Sequence, residues 1–121
     1  MITFDLSEDT LIVHLNGELD HHTATVIKDE IDKTMEAFGS NNLIFQLSGI
    51  TFMDSSGVGM IMGRYNKVRE RRGKIAVTGC SPYTDRILEM SGIYTIIERK
   101  EHLEEAIQFI NQPHAASAAN A

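Results

Sequence analysis

The segment from residue 43 to residue 59 joins a short apolar run to a helical pattern, and this join restricts the fold strongly. The run Leu43–Leu47 predicts a buried strand, and after a short turn the tetrad Asp54-Ser55-Ser56-Gly57 opens the next segment. The apolar positions of that segment recur at helical spacing: Val58, Ile61, Met62, Tyr65 and Val68. Strands and helices alternate in this way as far as residue 97, which predicts right-handed crossovers between parallel strands. The segments 17–23 and 51–57 each follow a predicted strand, so the two loops share one edge of the sheet if those strands are parallel.

The residues before this segment predict an antiparallel hairpin followed by a first helix. The hairpin joins strands at Phe4–Leu6 and Leu11–Leu15, and the second strand ends at Asn16-Gly17. Asp20 or Thr23 can cap the helix that follows. The apolar positions that we expect to face the core of this helix are Ala24, Ile27, Ile31, Met35 and Phe38.

The residues after the second helix predict two more strand–helix pairs. The second helix runs to about Arg72, and Lys74–Thr78 forms the next strand. A short helix starts at Ser81-Pro82, a brief strand covers Tyr94–Ile97, and Pro113 ends the last helix.

Size and composition limit the chain to one small domain. The sequence of 121 residues predicts a single α/β domain over residues 1–112, with a mobile tail at residues 113–121. Its sheet is mixed, mostly parallel, with four to five strands and about four helices. The net charge of −6 argues against direct nucleic-acid binding, and no apolar run is long enough to cross a membrane. Since Cys80 is the only cysteine and Met1–Asp5 lacks a secretion signal, we expect a cytoplasmic location.

Two serines fall in the first turn of the second helix, and they admit two interpretations. Asp and Ser are preferred N-cap residues, so this turn can simply start the helix, a contribution of about 1 kcal/mol. The free N–H groups and the dipole of a helix start also favour an anion, so a phosphoryl group on either serine would be well placed. The turn alone leaves a structural cap and a signalling site both open.

Four separated blocks of the sequence resemble one protein family. They are Gly17-Glu18-Leu19-Asp20-His21-His22-Thr23-Ala24, Phe52-Met53-Asp54-Ser55-Ser56-Gly57-Val58-Gly59, Gly63-Arg64-Tyr65 and Glu89-Met90-Ser91-Gly92. In this order they resemble an anti-sigma factor antagonist of the STAS family, and within it the stage II sporulation branch of endospore-forming bacteria. The resemblance runs from about Thr3 to Ile110 and implies a protein–protein switch rather than an enzyme.

The resemblance implies a phosphorylation site in the turn before the second helix. In the family, one serine of this turn is phosphorylated, and by position it is Ser55, supported by Asp54, Ser56 and Gly57. The unmodified protein binds a partner that is both serine kinase and anti-sigma factor, and so frees the sigma factor. The phosphorylated form does not bind, and a serine phosphatase restores it. We expect no cofactor, and a monomer when the protein is free.

The partner surface implied by the family lies on two segments of the chain. Its candidate residues are Glu18, Asp20, His21, Thr23, Gly59, Met60, Gly63 and Arg64. We expect Gly57 to let the backbone pass close to a partner. Glycines inside a helix cost up to about 1 kcal/mol each, so Gly59 and Gly63 predict close approach of another surface or of the helix's own sheet.

Three alternatives compete with this interpretation. The first is a STAS module of another pathway, such as general stress signalling, or one regulated without phosphorylation. The second is a hydrolase using Ser55 or Ser56, but the turn lacks the Gly-x-Ser-x-Gly elbow and no histidine is assignable as its base. The third is a metal site at His21-His22, which is disfavoured because adjacent side chains diverge on a helix and no ligand set is complete.

A run of six cations lies between residues 64 and 74, and it predicts the solvated face of an amphipathic helix.

Overall fold

The computed structural model describes residues 1–113, and within them five strands alternate with four α-helices. The strands are β1 (Ile2–Ser7), β2 (Thr10–Leu19), β3 (Asn42–Met53), β4 (Ile75–Thr78) and β5 (Glu98–Lys100). The helices are α1 (His21–Phe38), α2 (Ser55–Glu70), α3 (Pro82–Ser91) and α4 (Leu103–Asn111). The prediction of a mobile tail concerns mostly residues that lie outside this description.

The five strands form one sheet in the order β1-β2-β3-β4-β5. The β1–β2 pair is antiparallel and the other three pairs are parallel, which confirms the predicted mixed α/β fold. The main core lies between one face of the sheet and helices α1, α2 and α3. A smaller cluster lies on the other face, where Ala106 and Ile110 of α4 pack on Ile12, Ile44 and Ala76.

Strands β2 and β3 are both longer than the sequence predicts. They stay paired as far as Glu18 with Phe52 and Leu19 with Met53, past register shifts between residues 14 and 18. Gly17 lies in one of these shifts with φ of 91°, a conformation that side-chain-bearing residues rarely adopt. The expected loops at 17–23 and 51–57 therefore shrink to one residue between strand and helix in each case, Asp20 and Asp54.

Two further predictions about the core and the sheet are wrong. Phe38 is 63 % exposed because it is the last residue of α1, and Gly39 ends the helix in the left-handed conformation at φ 63°. The strand expected at 94–97 is a 3₁₀ turn at Ile93–Thr95, and the fifth strand comes three residues later. Over residues 1–113, none of the helices combines the length and apolarity that crossing a membrane requires.

Candidate functional site

The parallel pairing of β2 and β3 brings their carboxyl ends to one edge of the sheet, which we call the rim. Asp20 follows β2 and Asp54 follows β3, and the Asp54 N–H donates to the Leu19 carbonyl at 3.4 Å. Each aspartate is the N-cap of the next helix, Asp20 for α1 and Asp54 for α2. The expectation that these two segments share an edge of the sheet is confirmed.

Asp20 and Thr23 form a reciprocal cap at the start of α1. The Thr23 N–H donates to Asp20 Oδ1 at 3.0 Å, and the Asp20 N–H donates to Thr23 Oγ1 at 3.0 Å. The Thr23 backbone N–H is the main cause that lowers the pKa of the Asp20 carboxyl, because it stabilises the charged form. The Thr23 hydroxyl also lies 2.9 Å from the Glu18 carbonyl, so its hydrogen-bonding capacity is used within the rim.

Asp54 and His21 both contact Ser56 at the start of α2. Asp54 Oδ1 accepts the Ser56 backbone N–H at 2.9 Å. The Ser56 hydroxyl lies 3.4 Å from His21 Nδ1, on the first residue of α1. Ser56 is half-buried, whereas Ser55 is exposed, and the Ser55 side chain has no hydrogen-bond partner among residues 1–113. Of the two hydroxyls, Ser55 is therefore the accessible one.

Ser55 borders an apolar groove between α2 and α3, of about 590 Å³, which we call the α2–α3 groove. Its apolar side chains are Met53, Val58, Met62, Ile87 and Met90. Met90 is 81 % exposed, which is unusual for so large an apolar side chain. This groove was not predicted from the sequence, although Ile87 and Met90 are three residues apart on either side of the buried Leu88 and could have indicated it.

Ser56 borders a smaller groove on the other side of α2, which we call the α1–α2 groove. It has a volume of about 230 Å³, and its lining includes His21, Lys28 and Gly59. Lys28 is exposed and adds a cation that the sequence analysis did not single out. The two serines, although adjacent in sequence, thus border different grooves, Ser55 an apolar one and Ser56 one that carries basic side chains.

The glycines of α2 divide into one that faces the sheet and two that face open space. A Cβ on Gly57 would lie 2.9 Å from Met53 Cγ and 3.0 Å from Leu19 Cδ2, so Gly57 permits contact with its own sheet. The expectation that it serves a partner's approach is wrong on this point. A Cβ on Gly59 or Gly63 would meet no atom within 4 Å among the described residues, so close packing on the sheet does not explain them.

Met60 and Arg64 lie in the packing between α1 and α2. Met60 is 5 % exposed and Arg64 is 4 % exposed. Arg64 Nε is 3.0 Å from Asp32 Oδ1 of α1, and desolvation lowers the pKa of the guanidinium below its usual value. Because both side chains are buried within the described residues, we no longer count them in the candidate partner surface. They instead fix α2 against α1.

Three other basic residues of this region also contact groups within the protein. Lys67 reaches Asp32 at 3.4 Å, and Arg71 donates to the Ser40 carbonyl at 2.6 Å. Lys74 Nζ donates to the Phe109 carbonyl at 3.1 Å, at the C-terminal end of α4. The predicted solvated face is therefore largely a set of contacts that hold α1, α2 and α4 in place.

The contact between Ser56 and His21 bears on the hydrolase alternative. The structure does bring a histidine to one of the two serines, which the sequence analysis did not foresee. The 3.4 Å distance is long for a hydrogen bond, and within residues 1–113 the His21 ring contacts no carboxylate that would orient it as a base. The Ser56–His21 contact is therefore better explained as packing at the start of a helix than as activation of a nucleophile.

Comparison with known proteins places this geometry in a family. The model of the STAS domain matches residues 1–106, and the chain belongs to the STAS family. It is 39 % identical over 87 residues to an anti-sigma F factor antagonist of Paenibacillus polymyxa, covering 72 % of this chain and 74 % of that protein. It is 29 % identical over 92 residues to an anti-sigma-B factor antagonist of Listeria monocytogenes, covering 76 % and 80 %. The family resemblance inferred from the four sequence blocks is confirmed.

Solved structures agree with this assignment. The anti-sigma factor antagonist SpoIIAA in its unphosphorylated form superposes with a TM-score of 0.79 at 27 % identity, covering 91 % of this chain and 96 % of that one. SpoIIAA of Bacillus in its phosphorylated form gives 0.72, also at 27 % identity, covering 92 % and 100 %. A putative antagonist from Thermotoga maritima gives 0.86 at 20 % identity, covering 92 % and 95 %, and at that identity it supports the fold alone.

Proposed function

We propose that this chain is an anti-sigma factor antagonist controlled by phosphorylation of Ser55. The unphosphorylated form binds an anti-sigma factor that is also a serine kinase, and the sigma factor is released. Phosphorylation ends that binding, and a serine phosphatase acting on phospho-Ser55 restores it. The observation that carries the proposal is the accessible Ser55 hydroxyl at the start of α2, beside an exposed apolar groove. The names of the relatives and the phosphorylated form of SpoIIAA support it.

The proposed partner surface consists of the rim and the walls of the α2–α3 groove. The candidates that stay exposed are Glu18, His21, Ser55 and Gly59, and the half-buried Gly63 extends them along α2. The half-buried Asp20, Thr23, Asp54 and Ser56 act from beneath, by capping the two helices. The bare backbone of α2 at the exposed Gly59 and the half-buried Gly63 lets a partner approach more closely than a side chain would.

Charge explains why a single modification is sufficient for the switch. A phosphoryl group adds about −1.5 to −2 charges and three acceptor oxygens. On Ser55 it would be buried against the partner next to apolar side chains such as Val58 and Met90, where residues 1–113 place no matched cation in the groove lining. Burying such a charge unpaired costs several kcal/mol, and 3–4 kcal/mol already lowers affinity by more than a hundredfold. A local block of the contact at Ser55 is therefore enough to prevent partner binding, and the protein does not need to refold.

Phosphorylation itself is the first test. The wild-type protein is incubated with the anti-sigma kinase of its host and ATP, and its intact mass is measured. We expect a gain of one phosphoryl group that Ser55→Ala abolishes and that the matched variant Ser56→Ala retains. A mass gain lost in Ser56→Ala but retained in Ser55→Ala would contradict the assignment of the site.

Partner capture is the second test. We expect the immobilised kinase to retain the wild type and Ser55→Ala, and to lose Ser55→Asp. Retention of Ser55→Asp and of the enzymatically phosphorylated protein at the level of the wild type would contradict the switch. Both measurements use all 121 residues of the chain.

The anti-sigma-B factor antagonists among the relatives suggest general stress signalling as a second candidate pathway. The one from Listeria monocytogenes shares 29 % identity over 92 residues with this chain, against 39 % over 87 residues for the anti-sigma F factor antagonist of Paenibacillus polymyxa. We therefore propose a role in sporulation-specific transcription, in the cytoplasm, over general stress signalling. Parallel capture with the sporulation and the stress anti-sigma factors of the host separates the two, since only the cognate factor should retain the protein.

A further inference from the structure

Strand β3 extends beyond the end of β4, its neighbour in the sheet. β4 pairs with β3 only from Leu43 to Gln46, while β3 continues to Met53. Asp54 points its N–H towards β2, where it meets the Leu19 carbonyl, and backbone groups of consecutive residues in a strand point in opposite directions. The N–H and carbonyl of Met53 therefore point to the β4 side, where the strand partner is missing.

Tyr83 of α3 occupies this position. Its hydroxyl lies 3.3 Å from the Met53 nitrogen and 3.4 Å from the Met53 carbonyl oxygen. A phenol can accept one hydrogen bond and donate another, so this group can satisfy both backbone groups that lack a strand. Both distances are long, so each bond is weak, but together they join the first turn of α3 to the residue that precedes Asp54 and Ser55.

We infer that Tyr83 is a positioning residue that fixes the Ser55 turn against α3. The inference rests on the proposed function, because it concerns the surface that the partner would contact. The two walls of the α2–α3 groove belong to separate elements, with Met53 and Val58 on one side and Ile87 and Met90 on the other. Tyr83 links these walls directly, and it keeps the groove and Ser55 in one arrangement for a partner to bind.

Removal of a single hydroxyl tests this role with little risk to folding. Tyr83→Phe keeps the ring, which is 45 % exposed in any case, and removes only the contact with Met53. The matched control is Tyr65→Phe on α2, where the hydroxyl has no hydrogen-bond partner in residues 1–113. The measurements are amide hydrogen exchange at Met53, capture by the anti-sigma kinase, and the kcat and KM of Ser55 phosphorylation.

We expect Tyr83→Phe to speed exchange at Met53 and to weaken capture, each by about three- to tenfold, which corresponds to the net value of a weak hydrogen bond. The KM of phosphorylation should rise while kcat stays the same, and Tyr65→Phe should match the wild type in all measurements. Unchanged exchange at Met53, or unchanged capture despite faster exchange, would overturn the inference. If the wild type itself is neither captured nor phosphorylated, the proposed function fails, and the inference about the partner surface falls with it, while the exchange result still decides whether Tyr83 anchors Met53.

Discussion

Asp32 of α1 and Arg64 of α2 form an ion pair across the two helices that border the candidate surface, with Oδ1 3.0 Å from Nε. The Arg64 side chain is 5 % exposed and that of Asp32 is 20 % exposed. The N–H direction is too oblique for a hydrogen bond, and Arg64 Nη1 has no partner among residues 1–113. The pair therefore fixes the spacing of α1 and α2 mainly through charge and packing.

Removing one member of this pair should destabilise the protein measurably. Arg64→Ala leaves the Asp32 carboxylate mostly buried, with only Lys67 nearby at 3.4 Å. We expect the free energy of unfolding in urea to fall by about 2–3 kcal/mol, near the lower end for a broken buried pair. The control is Glu36→Ala, which breaks a pair with Arg71 but removes a side chain that is 82 % exposed, and it should change stability by less than about 1 kcal/mol. Equal losses in the two variants would contradict this view of Arg64.

The glycines of α2 allow stability to be separated from partner binding. Gly57→Ala would press a Cβ into Leu19 and Met53, so we expect a loss of about 1–3 kcal/mol. Gly59→Ala adds a methyl group in open space and improves helix propensity, so we expect a gain of up to about 1 kcal/mol. If α2 is the docking surface, Gly59→Ala should nevertheless weaken kinase capture.

Urea unfolding and capture of the same two variants test this prediction. A Gly59→Ala protein that is more stable and is captured as well as the wild type would remove Gly59 from the partner surface. Gly57→Ala serves as the contrasting case, because any loss of capture there should follow the loss of folded protein.

The sequence was most informative where one physical signal dominated. Apolar spacing located Ala24, Ile27, Ile31 and Met35 in the core, because a helix that packs on a sheet must bury one continuous stripe. Cap chemistry limited the start of α1 to Asp20 or Thr23, since the first N–H groups of a helix need an acceptor, and the structure makes Asp20 the N-cap. These local rules were sufficient for the order of the elements and for the shared edge of β2 and β3.

The features that the sequence did not predict depend on contacts between distant segments. Strand β3 extends to Met53 because β2 continues beside it, and no local pattern reveals that pairing. Gly57 and Gly59 look equivalent in the sequence, yet only the fold shows which one faces Leu19. Tyr83 carries no motif at all, since its role arises from where β4 stops.

The Asp85 carboxylate predicts a specific loss of stability in acid. It accepts a hydrogen bond from Arg99 Nε at 2.8 Å and another from the Tyr94 hydroxyl, and the bond from Arg99 is the main cause that lowers its pKa. A carboxyl whose pKa is lower in the folded state stabilises the fold above the unfolded value, about 3.9, and this contribution disappears as the pH falls through the folded pKa. Asp85→Asn should therefore cost about 1–2 kcal/mol at pH 7.

The difference between the wild type and Asp85→Asn, measured by urea unfolding at several pH values, isolates this group from the other carboxylates. We expect the difference to be constant above about pH 5 and to shrink as the pH falls below about 4. A difference that stays the same down to pH 2.5 would show that Asp85 stabilises the fold by packing and not by its charge.

The two caps of the rim offer a test of whether Asp54 acts through its shape or its charge. Asp54→Ala removes the acceptor for the Ser56 N–H and should cost about 1 kcal/mol of stability, whereas Asp54→Asn keeps an acceptor and should cost only a few tenths. Since we attribute to Asp54 the orientation of the Ser55 turn, we expect Asp54→Asn to be captured by the anti-sigma kinase like the wild type and Asp54→Ala to be captured less well.

The matched control for this cap is Asp20→Ala, which removes the equivalent acceptor from Thr23 and should lower stability by a similar amount. It leaves the contacts of the Ser55 turn intact, so a loss of capture in Asp54→Ala beyond that in Asp20→Ala reports on the turn itself and not on general stability. If Asp54→Asn is stable but is captured as poorly as Asp54→Ala, the negative charge is the essential property, and the partner must place a cation opposite the start of α2.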